Sequence, residues 1–349
     1  MAISLNKYTA YFSVMLFLFM LSFIYFPFEH PYPNFRLQLD HRLSLLGFGL
    51  IGLVGTFSRI NLKTIYYSLI ASGLLVIAFI VSVKFGSHVL YGQQLSIVDV
   101  RQMYVNYHMG FDFSLNLGLI ACGFLFIKNF KIEDIKRKLF LLLSFVLLLL
   151  VLLLSEGRSG FIASILITGF FIFYFLYIYC RKVFFGICLL MLIVAFYGIL
   201  SHDRINLEQI KNEPRKHLFI NACTLIKEKP VLGYGMQGAQ YYTDSARYRR
   251  HQTDSTFINT WYQNEMVDSH NQYIQITVEY GFLGLLILLL LFTMPIFLVS
   301  KEYKLFMLCF IFLTGFQSLF DVTIFVPEFG VIFGMIMTLH LGNTKQSLE

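Results

Sequence analysis

Three side chains far apart in the chain have the types that an anion-binding, acid–base site needs: Arg158, Arg215 and His270. Arg158 lies in Ser155-Glu156-Gly157-Arg158-Ser159-Gly160, a polar break between two very apolar runs. Two readings of it stand. An arginine at the end of a membrane span can snorkel to phospholipid headgroups. A guanidinium in a tight glycine-flanked hairpin can instead grip a phosphate through two parallel hydrogen bonds. Gly157 and Gly160 permit close backbone approach there. Arg215 falls in the first turn of a helix opened by Glu213-Pro214, since proline is favoured at a helix start. Free N–H groups and the positive end of the helix dipole suit an anion; the plain alternative is a solvated loop arginine. His270 follows Asp268-Ser269, a good N-cap pair for the run that begins near residue 272. A histidine in a first helical turn is biased toward the neutral form, which can accept a proton. The alternative is an interfacial histidine with no role. A nucleophilic Ser159 is not supported, because no Ser-His-Asp arrangement is readable.

Two polar stripes at helical spacing accompany these residues: His108, Asp112 and Asn116, and Asn271, Gln275 and Glu279. Ionisable residues inside apolar helices usually face a cavity or the bundle interior. The stripes therefore read as cavity lining, with a helix-packing network as the alternative. Neither the spacing of Asp and Glu nor that of His suggests a metal site, and no cofactor is implied.

The elements that hold these residues are written in the composition. Of 349 residues 57% are hydrophobic and 13% charged, and the mean hydropathy is +0.68. A soluble domain carries about 25% charged residues, so the chain is an all-α polytopic membrane protein. Its net charge of +7 does not point to nucleic acid, because the basic residues sit at the ends of apolar runs, as membrane topology requires. Five cysteines show no CxxC spacing or disulfide framework. The first apolar run, Tyr8–Phe26, is too long for a cleaved signal and predicts a retained helix.

A span needs roughly 20 apolar residues. Apolar runs predict spans near 8–26, 43–58, 64–84, 107–127, 138–155, 160–179, 183–200, 272–299, 303–320 and 322–341, about ten in all. The segments 27–42 and 85–106 are too polar to span and suit the interface. Lysines and arginines at 59–63, 128–138, 181–182 and 301–304 fall on one side of an alternating topology, the cytoplasmic one. The Arg158 hairpin and the long polar segment 201–271 then share the outer face. Four regions follow: 1–106, N-terminal spans and interfacial segments; 107–200, core spans with the Arg158 hairpin; 201–271, a large, partly helical outer loop; 272–349, C-terminal spans. Within the loop, Leu218, Ala222, Leu225 and Ile226 repeat at helical spacing, and Pro230, Gly233 and Gly235 end that helix.

The motifs resemble those of the O-antigen ligase and polymerase superfamily. They are Ser155 to Gly160; Arg215 ahead of Pro230-Val231-Leu232-Gly233-Tyr234-Gly235; and His270-Asn271-Gln272-Tyr273-Ile274-Gln275 running into Glu279-Tyr280-Gly281-Phe282-Leu283-Gly284. The likeness covers roughly residues 107–300. Gly157 departs from it, since a serine often precedes the arginine, and ligases commonly have twelve spans. The resemblance implies a GT-C-like architecture and a metal-independent, inverting glycosyltransfer on the periplasmic face of the bacterial inner membrane. The implied donor is a glycan on undecaprenyl diphosphate; the acceptor is a sugar hydroxyl of lipid A–core or, in a polymerase, a growing glycan. Arg158 and Arg215 would bind the diphosphate and stabilise it as leaving group, and His270 would orient or deprotonate the acceptor. Gly233, Gly235, Asn271, Glu279, His108 and Asp112 are candidate substrate contacts. Protein O-glycosylation is a third reading within the class. A transporter or flippase is the rival from another class, though no inverted repeat is visible.

Overall fold

In lipid every backbone N–H and C=O must be bonded within the protein, and a helix does this locally. In the computed structural model, the regular elements among the described residues are all helices. The structure describes residues 7–24, 39–54, 61–91, 108–131, 134–154, 158–179, 215–236, 238–239, 241–243 and 269–346. The predicted span at 183–200 lies outside them. The helices are α1 Lys7–Ile24, α2 Leu43–Val54, α3 Leu62–Tyr91, α4 His108–Asn129, α5 Ile135–Leu154, α6 Arg158–Tyr179, α7 Arg215–Glu228, α8 Gln272–Leu298, α9 Lys304–Gln317 and α10 Pro327–Gln346. Five helical stretches among the described residues are long and apolar enough to cross a membrane: Leu62–Val89, Gly110–Asn129, Ile135–Leu154, Ser159–Tyr179 and Gln272–Leu298. The apolar stretches Lys7–Phe23, Leu43–Val54 and Pro327–Gly342 are shorter. The chain is a multi-pass helical membrane protein; the full count of ten spans is an expectation from the sequence.

The chain forms two compact units, each discontinuous in sequence. One comprises residues 61–204 and 301–317. Its centre is α4, packed against α3, α5, α6 and α9. Within the apolar window of α4, 83% of residues are buried, against 22% for α3, α5 and α6. That contrast assigns the roles: α4 is the core helix, and its neighbours turn apolar faces outward, leucine-rich on α5 and richer in Phe, Ile and Val on α3 and α6, where lipid replaces protein. Tyr66, Phe124 and Phe306 fill the interior as an aromatic triangle with centroid separations of 4.7–5.8 Å.

The other unit comprises residues 1–60, 205–300 and 318–349. Here α1 packs on α2 and α8, α2 on α10, and α7 on α8. Helix α7 follows the spacing read from its sequence: Leu218, Ala222 and Leu225 are buried, and Ala222 and Leu225 join Tyr234, Ala239 and Val278 in a small core. The predicted run 303–320 stops as a helix at Gln317. Residues 318–326 form a loop instead, and α10 begins at Pro327, where the missing proline N–H costs nothing.

Candidate active site

Helix α8 is broken in its first half. Gly281 has φ 64°, ψ −162°, outside the helical region. The segment after α7 docks on that break through its main chain. Tyr234 N–H donates to Val278 O at 3.0 Å, and Phe282 N–H donates to Pro230 O at 2.7 Å. The break frees carbonyls and amides that the turn then satisfies. Gly233 (φ 64°) lies so close that a Cβ there would come within 2.6 Å of the Glu279 carbonyl, and one on Gly281 would collide with the Val231 carbonyl. Thus Pro230–Gly235 and Glu279–Gly284, which the sequence presents as two motifs, are two sides of one junction. Gly233 approaches the α8 backbone, and Gly235 also has positive φ, 73°.

Well before the break, at the entrance to α8, His270 stands at φ 46°, the non-glycine residue with positive φ among the described residues. Such conformations cost about 1–3 kcal/mol and gather at functional sites. The N-cap of α8 is Asn271, whose side-chain oxygen accepts from Ile274 N–H at 3.0 Å. His270 therefore precedes the cap rather than lying in the first turn, and the expected cap pair Asp268-Ser269 does not fill that position. The reason is local: Asn271 is extended (φ −157°, ψ 116°) and its amide reaches the free first-turn N–H groups. Its Nδ2 donates to Leu319 O at 3.0 Å.

The 318–326 loop wraps this corner. Gln272 N–H donates to Ser318 O and Asp321 O, and Gln272 Oε1 accepts from Ile324 N–H at 3.0 Å. Asp321, 6% exposed, takes Val322 N–H at 2.7 Å and faces His270 Nδ1 at 3.7 Å. A carboxylate there can fix the ring's orientation and favour a proton on Nδ1, which leaves Nε2 as acceptor.

From the same corner a polar chain runs inward. Ser269 N–H donates to Gln275 Oε1 at 3.1 Å, and Gln275 Nε2 donates to Glu279 Oε1 at 2.8 Å. Glu279 is buried against Arg42, whose guanidinium also donates to Ser22 Oγ and Tyr280 OH and stacks 4.0 Å from the Phe325 ring. Burial opposes the charge on Arg42, but the Glu279 carboxylate and the hydrogen bonds to Glu279 and Tyr280 outweigh it, and its pKa is raised.

The unit of residues 61–204 and 301–317 holds Arg158; the turn expected at 155–157 lies outside the described residues. Arg158 is the first residue of α6. Asp112 of α4, 1% exposed, abuts the start of α6: a Cβ on Gly160 would fall 2.5 Å from its Oδ2. Asn116 Nδ2 donates to Asp112 O and, at 3.2 Å, to Gly160 O. The expected close approach at Gly160 is thus made by Asp112, and the α4 stripe braces the start of α6. A carboxylate there also complements the positive end of the α6 dipole. His108 is the first residue of α4 and Arg215 the first of α7. For Arg158, Arg215 and His108 the description covers the backbone alone. His270 and Arg215 belong to one unit, Arg158 and His108 to the other.

Arg42, Ser22 and Asp321 were not singled out from the sequence. Asp321 had one legible signal, an acid set between two apolar runs. Arg42 had none beyond a charge in a polar segment, because its partner lies 237 residues away.

No curated protein matches the chain at a significant level. Residues 143–289 match the family model described as O-antigen ligase. The matched stretch contains Arg158, Arg215, the Gly233–Gly281 junction, His270 and Glu279. That match covers less than half of the chain; together with the motif order it supports an O-antigen ligase-like superfamily assignment.

Proposed function

We propose that the protein transfers a glycan from undecaprenyl diphosphate to a sugar hydroxyl of lipid A–core, at the periplasmic face of the bacterial inner membrane. His270 Nε2 takes the proton from the acceptor hydroxyl. The hydroxyl oxygen attacks the anomeric carbon from the side opposite the leaving group, and the carbon–oxygen bond to the diphosphate breaks with inversion. Arg158 and Arg215 neutralise the departing diphosphate, the role that fixed donors perform best where charge develops. Asn271 caps α8 and Glu279 holds its broken part in place, while Asp112 braces the start of the helix that carries Arg158.

The observation that carries this reading is the His270 corner: a strained, partly exposed histidine facing a buried aspartate, on a segment that matches the ligase family. Assay of the purified full chain with a carrier-linked glycan and lipid A–core tests it. Formation of glycosylated core with release of undecaprenyl diphosphate supports the reading, and its absence with a competent donor and acceptor overturns it.

The family match favours one second reading, a polymerase that joins repeat units on the same carrier. In that case the assay yields longer carrier-linked glycan without core. A glycan profile of a deletion strain separates the two: accumulated carrier-linked polymer marks a ligase, single-repeat capping a polymerase.

A further inference from the structure

Within the unit centred on α4, at the end of that helix far from Asp112, lies a cleft of about 380 Å³ between α4, α6 and the start of α9. Lys128 of α4, Lys301 of the turn before α9 and Lys304 of α9 line it. Lys131, just past α4, places its ammonium 5.7 Å from the ring of Tyr179, which also lines the cleft. Glu302 is the acidic residue among the described lining residues, and it pairs with Lys128. The Lys128 ammonium is further held 4.6 Å from the Tyr303 ring, so its position is set before any ligand arrives. Tyr179 is fixed as well, its hydroxyl donating to Ile127 O at 3.3 Å.

The cleft opens on apolar surface. Phe170 and Ile178 of α6 and Leu308 of α9 line it and are 40%, 47% and 37% exposed. The result is a cationic pocket with an apolar apron, on helices that face lipid. Lysines that only mark a membrane boundary need no common target. These come from two stretches distant in the chain, the end of α4 and residues 301–304, to one cavity whose size falls in the range of about 300–1,000 Å³ usual for ligand sites.

We propose that this cleft is a binding site for an anionic phospholipid. Its phosphate sits among Lys128, Lys301 and Lys304, and an acyl chain runs along Phe170, Ile178 and Leu308. Charge decides the class of occupant: a zwitterionic headgroup would bring its own cation against the lysines. The apron decides between a lipid and free phosphate, because a phosphate ion has nothing to place on it. Basic pockets between helices on the cytoplasmic side take anionic headgroups in this manner.

The test needs no transferase activity. The purified full chain, in detergent, is incubated with dioleoyl-phosphatidylglycerol or dioleoyl-phosphatidylcholine, and bound lipid is read by native mass spectrometry. Phosphatidylglycerol should be retained and phosphatidylcholine not. The double variant Lys301→Gln/Lys304→Gln should lose roughly thirtyfold in retention, on the scale expected for two surface lysines. Lys136→Gln/Arg137→Gln, at the start of α5, should keep it. Equal retention of the two lipids in the wild type, equal loss in both double variants, or full competition by millimolar inorganic phosphate each overturns the proposal. The lipid-class comparison on the unmodified protein stands even if a variant is poorly produced.

Discussion

Arg42 grips both oxygens of Glu279: Nη2 lies 2.8 Å from Oε1 and 2.7 Å from Oε2, and both side chains are buried. The pair joins the turn before α2 to the broken part of α8, and the Phe325 ring under the guanidinium adds the 318–326 loop. Removing one partner of a buried pair strands a charge and costs about 3–5 kcal/mol. Arg42→Met and Glu279→Leu should each lower the thermal midpoint markedly. The double variant should recover much of the loss. Additive losses in this double-mutant cycle would contradict direct coupling.

The junction glycines give a second expectation. Gly233→Ala and Gly281→Ala each place a side chain at φ 64° and against main chain, with about 1–3 kcal/mol from conformation alone. A methyl group added at Gly169 of α6 would meet nothing within 4 Å, and alanine there should be neutral or stabilising by up to about 1 kcal/mol. Thermal unfolding of the three variants checks the contrast.

His270 and Asp321 should act together. His270→Ala should reduce transfer by roughly 10²–10⁴ if the ring is the general base, with normal expression. Asp321→Asn keeps shape and removes charge, so it should lower the rate without abolishing donor binding. Full activity in His270→Ala would remove the mechanism.

Arg158→Lys should not rescue Arg158→Ala, because an ammonium cannot reproduce a planar two-pronged grip. A lost charge-stabilising donor costs about 10²–10³ in rate. Transfer with undecaprenyl-diphosphate-linked donor measures this directly. If lysine restores activity, the guanidinium geometry is not what matters.

Orientation can be checked separately. In a cysteine-free background, Thr243→Cys and Ser155→Cys should react with an impermeant thiol reagent from outside, and Ile132→Cys should not. Labelling of Ile132→Cys alone reverses the topology and moves the site to the wrong face.

Periodicity and hydropathy made the helices readable, since lipid leaves a backbone few other options. The spacing of Leu218, Ala222 and Leu225 located α7, and Pro230 with Gly233 located its end. What stayed hidden depends on distance in the chain. Nothing near Arg42 announces Glu279, and nothing near Pro230 announces that its carbonyl will bond Phe282. The cap of α8 went to Asn271 rather than Asp268-Ser269 because capping depends on backbone angles that three nearby polar residues could each adopt. The stripes fall on α4 and α8 except for Asn271, which caps α8 in extended backbone, and Asp112, Gln275 and Glu279 meet protein neighbours, which spacing cannot reveal.

The junction between Pro230–Tyr234 and α8 is made by main-chain hydrogen bonds, so it depends on two glycines and little on other side chains. The corner at Ser269–Gln272 is likewise pinned by backbone groups of the 318–326 loop. Both anchors are therefore written in backbone geometry more than in side-chain identity. Side chains around them can diversify while the anchors stay unchanged, provided the glycines and the carbonyls they approach are kept.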